Sequence, residues 1–390
     1  MTNPNLTLND LREILEGDAA VISTREKLTT AVEGETVYPQ TIKDGAYVMQ
    51  TRADEDGNAV SAVSLCSKGQ FLNEVERVFA SLRAKNVEPL TKANAMEVTY
   101  PVGIGRDSGS FFDYDLPGRA ADLHFQAGTT INGALVLDDP YYIDALKFSD
   151  NTSKLLGLSV ISSVLGLWDS RRPSGVKVPS ALRGEVYGVC STQTRDPDTG
   201  KFITDSNRSG AGWRKDPFQP GYDPSVVTKV KATIGKDKFT DKVETNAKTA
   251  AELGIGNAPA DGNGGVAVRD IVRYSVISIP LVRSIKVSDD DAENLKAQTV
   301  ILAFLVSLAA MSRKVSHYRA GCDLVRVSGV TRVDADTTVA TPSVEDGLNL
   351  LREALADAGD VAAGFDGNVY SVIGNPDIQK AAKDDAEEAK

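Results

Sequence analysis

Apolar positions along the chain repeat with the spacing of helices in some segments and of strands in others. Four apolar residues after a strand-like segment at residues 60–66 recur at intervals of three and four, which predicts a helix with one buried face. These residues are Leu72, Val75, Phe79 and Leu82. Further helices are predicted over residues 8–17, 140–149, 152–168, 288–313 and 343–359, and further strands over residues 185–192, 266–285 and 322–328. The irregular alternation of the two patterns predicts an α+β fold.

Polar residues mark the expected starts of several helices. Asp138 and Asp139 precede Pro140, which is typical of a helix N-terminus because proline fits the first turn and carboxylates favour the dipole. The acidic run 289–291 and Ser343 are interpreted in the same way, and Gly359 is expected to end the last helix. These carboxylates therefore predict caps and not a metal site.

Residues 193–265 are rich in Gly, Pro, Asn and Ser and predict a long loop region, within which the lysine-rich residues 226–243 could form a hairpin. A loop of this length is uncommon in a compact chain unless it is functional or disordered. The Ala/Lys/Asp/Glu residues 380–390 predict a frayed tail.

Charge is spread unevenly along the chain. The 390 residues carry 43 Lys plus Arg against 54 Asp plus Glu, a net charge of −11 that by itself argues against a nucleic-acid binder. Residues 151–250 carry 16 cations against 10 acids, a net of +6, and the other residues carry 27 against 44, a net of −17. A basic block inside an acidic protein predicts a basic surface opposite acidic ones.

Several functional classes lack their signatures. The three cysteines, Cys66, Cys190 and Cys322, are too few and too far apart for a disulfide framework or a CxxC metal site, so a reducing, cytoplasmic setting is expected. The longest nearly unbroken apolar run, residues 300–311, is shorter than the roughly 18 residues of a membrane span. The glycine-rich residues 103–109 do not match a phosphate-loop spacing, and no cofactor or metal is expected.

Cationic and amide groups at the ends of elements are the remaining chemistry. Ser67 and Lys68 lie between a strand and a helix, where backbone N–H groups, the helix dipole and an ammonium group would converge on an anion, with Asn73 one turn further on. A capped helix with a solvated lysine is the alternative interpretation.

A second set of cations lies on and after a Gly/Pro-rich loop. Arg171, Arg172 and Lys177 suit a phosphate backbone, and Arg183 begins the next strand. Arg214 and Lys215 lie beside Trp213 in the long insertion, a combination that suits single-stranded nucleic acid.

Three segments around these residues resemble a known family. CSKGQFLNEVERVF resembles an S-x-x-x-x-x-N-R-x-E pattern, with Glu74 in place of the arginine, and LWDSRRPSGVKV resembles a G-x-W-D-S segment followed by basic residues. SHYRAGCDL, which contains Arg319, resembles an R-S-x-C-D-L strand. The ordered set resembles the backbone subunit of CRISPR type I-G (formerly I-U) interference complexes, in the Cas-seven group of the RAMP superfamily.

The resemblance implies a modified RRM-like (ferredoxin-like) palm with inserted thumb and finger elements. The implied boundaries are an N-terminal extension at 1–55, the palm at 56–192 and 266–372, a thumb candidate at 193–265 and an acidic disordered tail at 373–390. The implied role is non-catalytic: copies assemble head-to-tail along CRISPR RNA and present it to target DNA. Implied partners are a Cas-five/Cas-six fusion, the large Cas-eight subunit and, transiently, a helicase-nuclease, with no membrane.

The resemblance and the cations together predict the RNA-contacting residues. The first-rank candidates are Ser67, Lys68, Asn73, Arg171, Arg172, Lys177 and Arg319, and the second-rank candidates are Arg183, Arg214 and Lys215. Two alternatives remain: a metal-independent RNA endonuclease of the same superfamily that uses His124 or His317, and a nucleic-acid-free tube or sheath protein.

Overall fold

The computed structural model describes residues 3–32, 34–40, 47–54, 56–100, 109–147, 152–169, 176–191, 198 and 265–378. The helices are α1 (Leu8–Glu16), α2 (Lys68–Ala84), α3 (Leu123–Gln126), α4 (Pro140–Ala145), α5 (Ser153–Leu158), α6 (Val160–Leu165), α7 (Ile279–Arg283), α8 (Asp291–Met311) and α9 (Val344–Ala358). The strands are β1 (Val21–Thr30), β2 (Met49–Ala53), β3 (Ala59–Cys66), β4 (Ala95–Thr99), β5 (Ser110–Phe112), β6 (Thr129–Thr130), β7 (Leu167–Asp169), β8 (Val176–Val178), β9 (Leu182–Cys190), β10 (Val268–Ser278), β11 (His317–Arg319), β12 (Cys322–Val333), β13 (Thr337–Val339) and β14 (Val369–Ile373).

The largest element of the fold is an eight-stranded sheet in which every pairing is antiparallel. Its order is β11-β12-β1-β10-β9-β3-β2, and β13 pairs with β12. Strands that neighbour each other here come from distant parts of the sequence, since β1 lies between β10 and β12. The mixed α/β architecture with antiparallel sheets confirms the predicted combination of helices and strands.

Strand β1 lies in the N-terminal extension, residues 1–55, where the sequence predicts a helix over residues 8–17 but no strand. Its buried positions are Ile22, Glu26 and Leu28. Because a charged residue occupies one of the three core positions, the strand lacks the alternation of apolar and polar residues by which strands are recognised in a sequence. The structure therefore places a central strand where none is predicted.

One face of the large sheet is covered by helices. Phe71, Val75 and Phe79 of α2 are buried against it, and Gly184 of β9 leaves the space that the Phe71 ring fills. The Phe79 ring meets Phe304 of α8 edge-to-face, with ring centroids 5.9 Å apart. Burial of each aromatic ring stabilises the fold by about 1.5–3 kcal/mol, so this layer holds α2 firmly on the sheet.

Helix α8 is the core helix of the protein. The Asp290 carboxylate accepts hydrogen bonds from the backbone N–H groups of Ala292 at 2.7 Å and Glu293 at 3.2 Å, which confirms that the acidic run caps the helix. The helix Asp291–Lys314 is long and apolar enough to cross a membrane by length and composition alone, since its most apolar window has a mean hydropathy of 1.7. However, 78% of the most apolar window is buried inside the protein, as in the core helix of a soluble protein.

Helix α9 packs on α8 and has the predicted ends. Ser343 and Asp346 form a reciprocal capping box, and the C-cap residue Gly359 has a φ of 56°, which favours glycine. A Cβ atom at Gly347 would lie 2.8 Å from the Ser307 Cα atom, so only glycine allows this close approach of the two helices.

A buried ionic cluster joins the sheet to the end of α8. Glu26 is 2% exposed and forms ion pairs with three arginines: Arg273 at 2.6 Å, Arg313 at 3.1 Å and Arg326 at 2.7 Å. Arg273 also donates to the Ser312 and Val315 carbonyl oxygens just beyond α8, and Arg313 donates to backbone carbonyl groups just before α9. One carboxylate on β1 therefore holds β10, β12 and the end of α8 together.

A second, smaller layer has its own sheet and core. Its order is β5-β4-β14-β6, and β14 runs parallel to β4, with Val369 opposite Ala95 and Ile373 opposite Thr99. Strands β7 and β8 form a separate hairpin. Asp139 accepts a hydrogen bond from the Tyr141 N–H at 3.0 Å, which confirms its predicted role as the cap of α4.

The helix predicted over residues 152–168 is broken into α5 and α6. The break is at Ser159, whose backbone is extended with a φ of −159° and whose hydroxyl donates to the fully buried Asp113 carboxylate. Burial raises the pKa of Asp113 to about 7, and the hydrogen bond from Ser159 opposes this rise. The break therefore places a hydroxyl donor against a fully buried carboxylate, in addition to the backbone hydrogen bonds that this carboxylate accepts from Met96 and Tyr114.

Two predicted segments lie outside the described residues. The first is nearly all of the insertion at 193–265, including the predicted hairpin at 226–243. The second is the tail from residue 379 onward.

Candidate nucleic-acid interface

The N-terminus of α2 follows directly from β3. Ser67 is the N-cap residue, with an extended backbone, and its hydroxyl accepts from the Gln70 N–H at 3.4 Å. Lys68 and Gly69 are exposed, and the first turn of α2 contains no acidic residue. The free N–H groups of a first turn and the helix dipole attract anions, so this end of the 17-residue helix can receive one.

Arg319 of β11 lies beside this helix end. Its guanidinium donates to the Gln70 side-chain oxygen at 3.3 Å and to the Tyr38 carbonyl oxygen at 3.2 Å. Tyr38 in turn donates from its N–H to the Gly321 carbonyl oxygen at 3.0 Å. The fold therefore brings Arg319 beside the adjacent residues Ser67 and Lys68, although it is far from them in sequence. We call the place where these three predicted residues lie the α2 corner.

The cysteines next to this corner are not reactive thiolates. Cys66 and Cys322 are buried, and burial raises the pKa of Cys66 to about 12 and that of Cys322 to about 11, while the nearby Arg319 opposes both shifts. Both thiols are neutral at physiological pH. Among the described residues, no group of three or more His, Cys, Asp or Glu side chains could hold a metal ion.

Asn73 is exposed on the next turns of α2. It lines a cavity of about 310 Å³ together with Arg77, Tyr114 and Asp115. Glu74, which stands where the family pattern has an arginine, accepts from Arg77 at 2.9 Å. Arg77 thus supplies a positive charge one turn later on the same helix, and its side chain is 67% exposed.

The Glu76 carboxylate has a structural role. It is buried and accepts from Arg119 at 2.6 and 3.1 Å, and Arg119 also donates to the Gly166 carbonyl oxygen at 2.9 Å. Burial raises the pKa of Glu76 and the ion pair with Arg119 opposes that rise. Arg119 is not among the predicted residues, because no local sequence pattern links it to α2.

The other predicted residues are not at this corner. Lys177 is exposed on β8, where its ammonium lies 6.0 Å from the centroid of the exposed Trp168 ring. Arg183 is exposed on β9, on the face of the large sheet opposite α2. Arg171, Arg172, Arg214 and Lys215 lie outside the described residues.

The two histidines occupy different surroundings. His317 Nδ1 lies 2.7 Å from Asp323 Oδ1, and both side chains are more than half exposed. His124 Nδ1 lies 2.5 Å from the Tyr100 hydroxyl on the smaller layer. The histidines are on separate layers, so they do not form a joint acid–base pair.

Part of the chain matches a known protein family. Residues 22–192 match the family model of CRISPR-associated protein GSU0053, a segment that includes β1, the N-terminus of α2 and β9 but not Arg319. This match confirms the resemblance to a CRISPR-associated family over that segment, which is less than half of the chain.

Curated proteins and solved structures add little to this family match. No curated protein matches the chain significantly. Among solved structures, a chain of a "CRISPR RNA-guided surveillance complex, pre-nicking" is 12% identical, with a TM-score of 0.32 over 94% of this chain and 99% of that chain. A TM-score this low carries no argument about fold or function.

Proposed function

We propose that this protein is a non-catalytic CRISPR RNA-binding backbone subunit of a type I interference complex, in the Cas-seven group of type I-G. In this role, copies assemble head-to-tail along the guide RNA in a helical ribonucleoprotein that supports recognition of target DNA. The proposed partners are CRISPR RNA, target DNA, further copies of the chain, a Cas-five/Cas-six fusion and a large Cas-eight subunit. The observation that carries the proposal is the match of residues 22–192 to a CRISPR-associated family.

The order of elements supports an RRM-like palm. The succession β1, α2, β9, β10, α8, β12 is a β-α-β-β-α-β series, and the four strands lie in the order β12-β1-β10-β9. This series and strand order are those of a ferredoxin-like unit. Strands β2 and β3 are then an insertion before the first helix of the unit, and they deliver the chain to Ser67 at the start of α2.

The chemistry of the α2 corner supports contact with an RNA backbone. Helix N–H groups, the Lys68 ammonium and the Arg319 guanidinium all suit a phosphate group, and none of them distinguishes one base from another. A guide-binding subunit needs this property, because base pairing and not the protein reads the target sequence.

The proposal is tested by purification from cells that express a CRISPR array. We expect RNA of defined length to co-purify, and sequencing should identify it as repeat–spacer RNA. Lys68→Glu should reduce the RNA retained, whereas Lys85→Glu, at the opposite end of α2, should retain it. Arg171→Glu with Arg172→Glu should also reduce it. Protein that assembles without any nucleic acid would contradict the proposal and favour a tube or sheath subunit.

A separate incubation tests the non-catalytic role. The exposed His317–Asp323 pair is the feature that an RNA endonuclease could use as a general base. We expect purified protein to leave repeat RNA intact in the presence of a chelator. Metal-independent cleavage that is lost in His317→Ala or His124→Ala would instead identify the endonuclease.

A further inference from the structure

The face of the large sheet opposite α2 and α8 carries a cluster of cations, and we call it the open face. Its side chains follow from the strand registers: Glu26, Arg273 and Val186 lie in one row and point toward the helices. Side chains alternate along each strand, so their neighbours in sequence point to the other side. The cations of the open face are Arg25, Lys27, Arg52, Arg183 and Arg332.

Four strands bring these cations together. Arg332 and Arg183 lie at the two ends of one row that also contains Ser23 and Val276, and Arg25 lies in the next row opposite Tyr274. All of these cations except Arg52 are exposed. The cluster therefore forms a band across β12, β1 and β9 that ends at β2.

The open face has a net positive charge on an acidic protein. Its three acids, Glu185, Asp270 and Asp323, are each paired: Glu185 with Arg52, Asp270 with Lys27 at 3.1 Å, and Asp323 with His317 at 2.7 Å. With histidine counted as neutral, five cations against three acids leave a net of +2, whereas the whole chain has a net charge of −11. An anion is thus the complementary partner for this surface.

Two aromatic rings lie among the cations. Tyr187 and Tyr274 are half-buried, and their ring centroids are 6.4 Å apart. The Arg52 guanidinium lies 4.5 Å from the centroid of Tyr187. A compact anion such as inorganic phosphate would be bound by the cations without aromatic rings. An acidic protein surface would likewise be bound chiefly by the charges. Rings interleaved with arginines are the combination that takes bases by stacking and phosphates by charge.

We propose that the open face binds single-stranded nucleic acid, on a surface separate from the α2 corner. Bases stack against Tyr274 and Tyr187, and Arg25, Arg183 and Arg332 contact phosphates. This goes beyond the proposed function, because a guide held at the α2 corner uses only the helix side of the sheet. The proposal covers single-stranded RNA and single-stranded DNA alike.

The test measures binding of fluorescent oligouridylate and oligothymidylate of about 20 nucleotides to the full chain, by anisotropy. All variants are made in a Lys68→Glu background, so that binding at the α2 corner is weakened and the open face is measured separately. Tyr274→Leu removes the ring and keeps an apolar side chain, and Tyr274→Phe keeps the ring. Arg25→Gln with Arg332→Gln removes two charges, and Lys92→Gln with Lys296→Gln, both exposed elsewhere, is the matched control.

We expect Tyr274→Leu to weaken binding of at least one probe about tenfold and Tyr274→Phe to bind as the parent does. The arginine pair should lower the slope of log K against log salt by about 1.4 between roughly 50 and 200 mM salt, and the lysine pair should not. The proposal is overturned if Tyr274→Leu binds both probes with parental affinity, or if the lysine pair lowers the slope equally.

The outcomes also separate this inference from the proposed function. If Lys68→Glu alone abolishes binding of both probes, the open face is not a binding surface and the proposed function is unaffected. If Lys68→Glu changes nothing while the open-face variants lose binding, the α2 corner fails as an RNA site and the inference stands.

Discussion

The α2 corner and the open face of the large sheet achieve complementarity to nucleic acid in different ways. The α2 corner uses the backbone N–H groups of the first turn of α2, one lysine and one arginine. Its position therefore depends on how α2 lies on the sheet. The open face uses five side-chain cations and two rings, and its position depends on strand register. A site built on helix geometry is sensitive to packing beneath the helix, whereas one built on register is sensitive to how the strands are held.

The largest effect on stability should come from the buried ionic cluster of Glu26 and its three arginines. Glu26→Ala leaves three arginines without their shared carboxylate, two of them largely buried, and should lower the free energy of unfolding by about 3–5 kcal/mol. Denaturant unfolding measures this. Asp270→Ala on the neighbouring strand removes only a surface pair with Lys27 and should cost about 1 kcal/mol or less. Equal losses in the two variants would contradict the central role of Glu26.

The next effect is a pH dependence that arises in neither region. Because the pKa of Asp113 is raised by burial, the folded state binds its proton more tightly than the unfolded chain, and stability should fall as pH rises from about 4 to about 7. The loss should amount to a few kcal/mol at most. Asp113→Asn should remove it from the pH profile of unfolding midpoints, and the exposed Asp360→Asn should not. RNA binding should follow the folded fraction only.

A smaller effect should couple the two regions through packing. A Cβ atom at Gly184 would lie 2.5 Å from Phe71 Cζ of α2 and 2.5 Å from the Tyr274 carbonyl oxygen of β10. Gly184→Ala should cost about 1–3 kcal/mol in denaturant unfolding. It should also reduce both retention of CRISPR RNA and oligonucleotide binding measured in the Lys68→Glu background, because it displaces the first turns of α2 and the strand that carries Tyr274. A fall in only one of the two would mean that the methyl group displaces only the element beneath that region.

The smallest effect is the sharpest test of the α2 corner. A Cβ atom at Gly69 would meet no atom within 4 Å, and alanine in a helix is favoured over glycine by roughly 0.5–1 kcal/mol. Gly69→Ala should thus stabilise the protein slightly in thermal unfolding. It should nevertheless weaken RNA retention, because the added methyl group stands where a phosphate would approach the first-turn N–H groups. Unchanged retention would place the phosphate elsewhere.

Local patterns predicted α2, α8 and α9 well, and the reason is physical. The apolar spacing of α2, the Asp290 cap of α8 and the Ser343 capping box of α9 are all decided within a few residues of sequence. Strand β1 could not be recognised because its core position 26 is a glutamate whose partners lie on β10, β12 and the end of α8. Only the folded sheet explains that charge.

Some residues of the candidate binding surfaces could likewise be predicted from the sequence, and others could not. Ser67 and Lys68 could be found from a strand–turn–helix pattern, and Arg319 from the family resemblance. The open face could not be found by dividing the chain into basic and acidic blocks, because Arg25, Arg52 and Arg332 come from segments outside the basic block 151–250. Strand pairing creates that surface, and the pairing connects residues hundreds of positions apart.

The parallel pairing of β14 with β4 has a consequence for the order in which the protein can fold. Val369–Ile373 must pair with Ala95–Thr99 across more than two hundred intervening residues, so this contact closes one of the longest loops in the molecule. During synthesis the smaller sheet has only its β4–β5 pairing until β14 has left the ribosome. The larger sheet, whose last paired strand ends at Val339, can form earlier and serve as the template on which the smaller layer is completed.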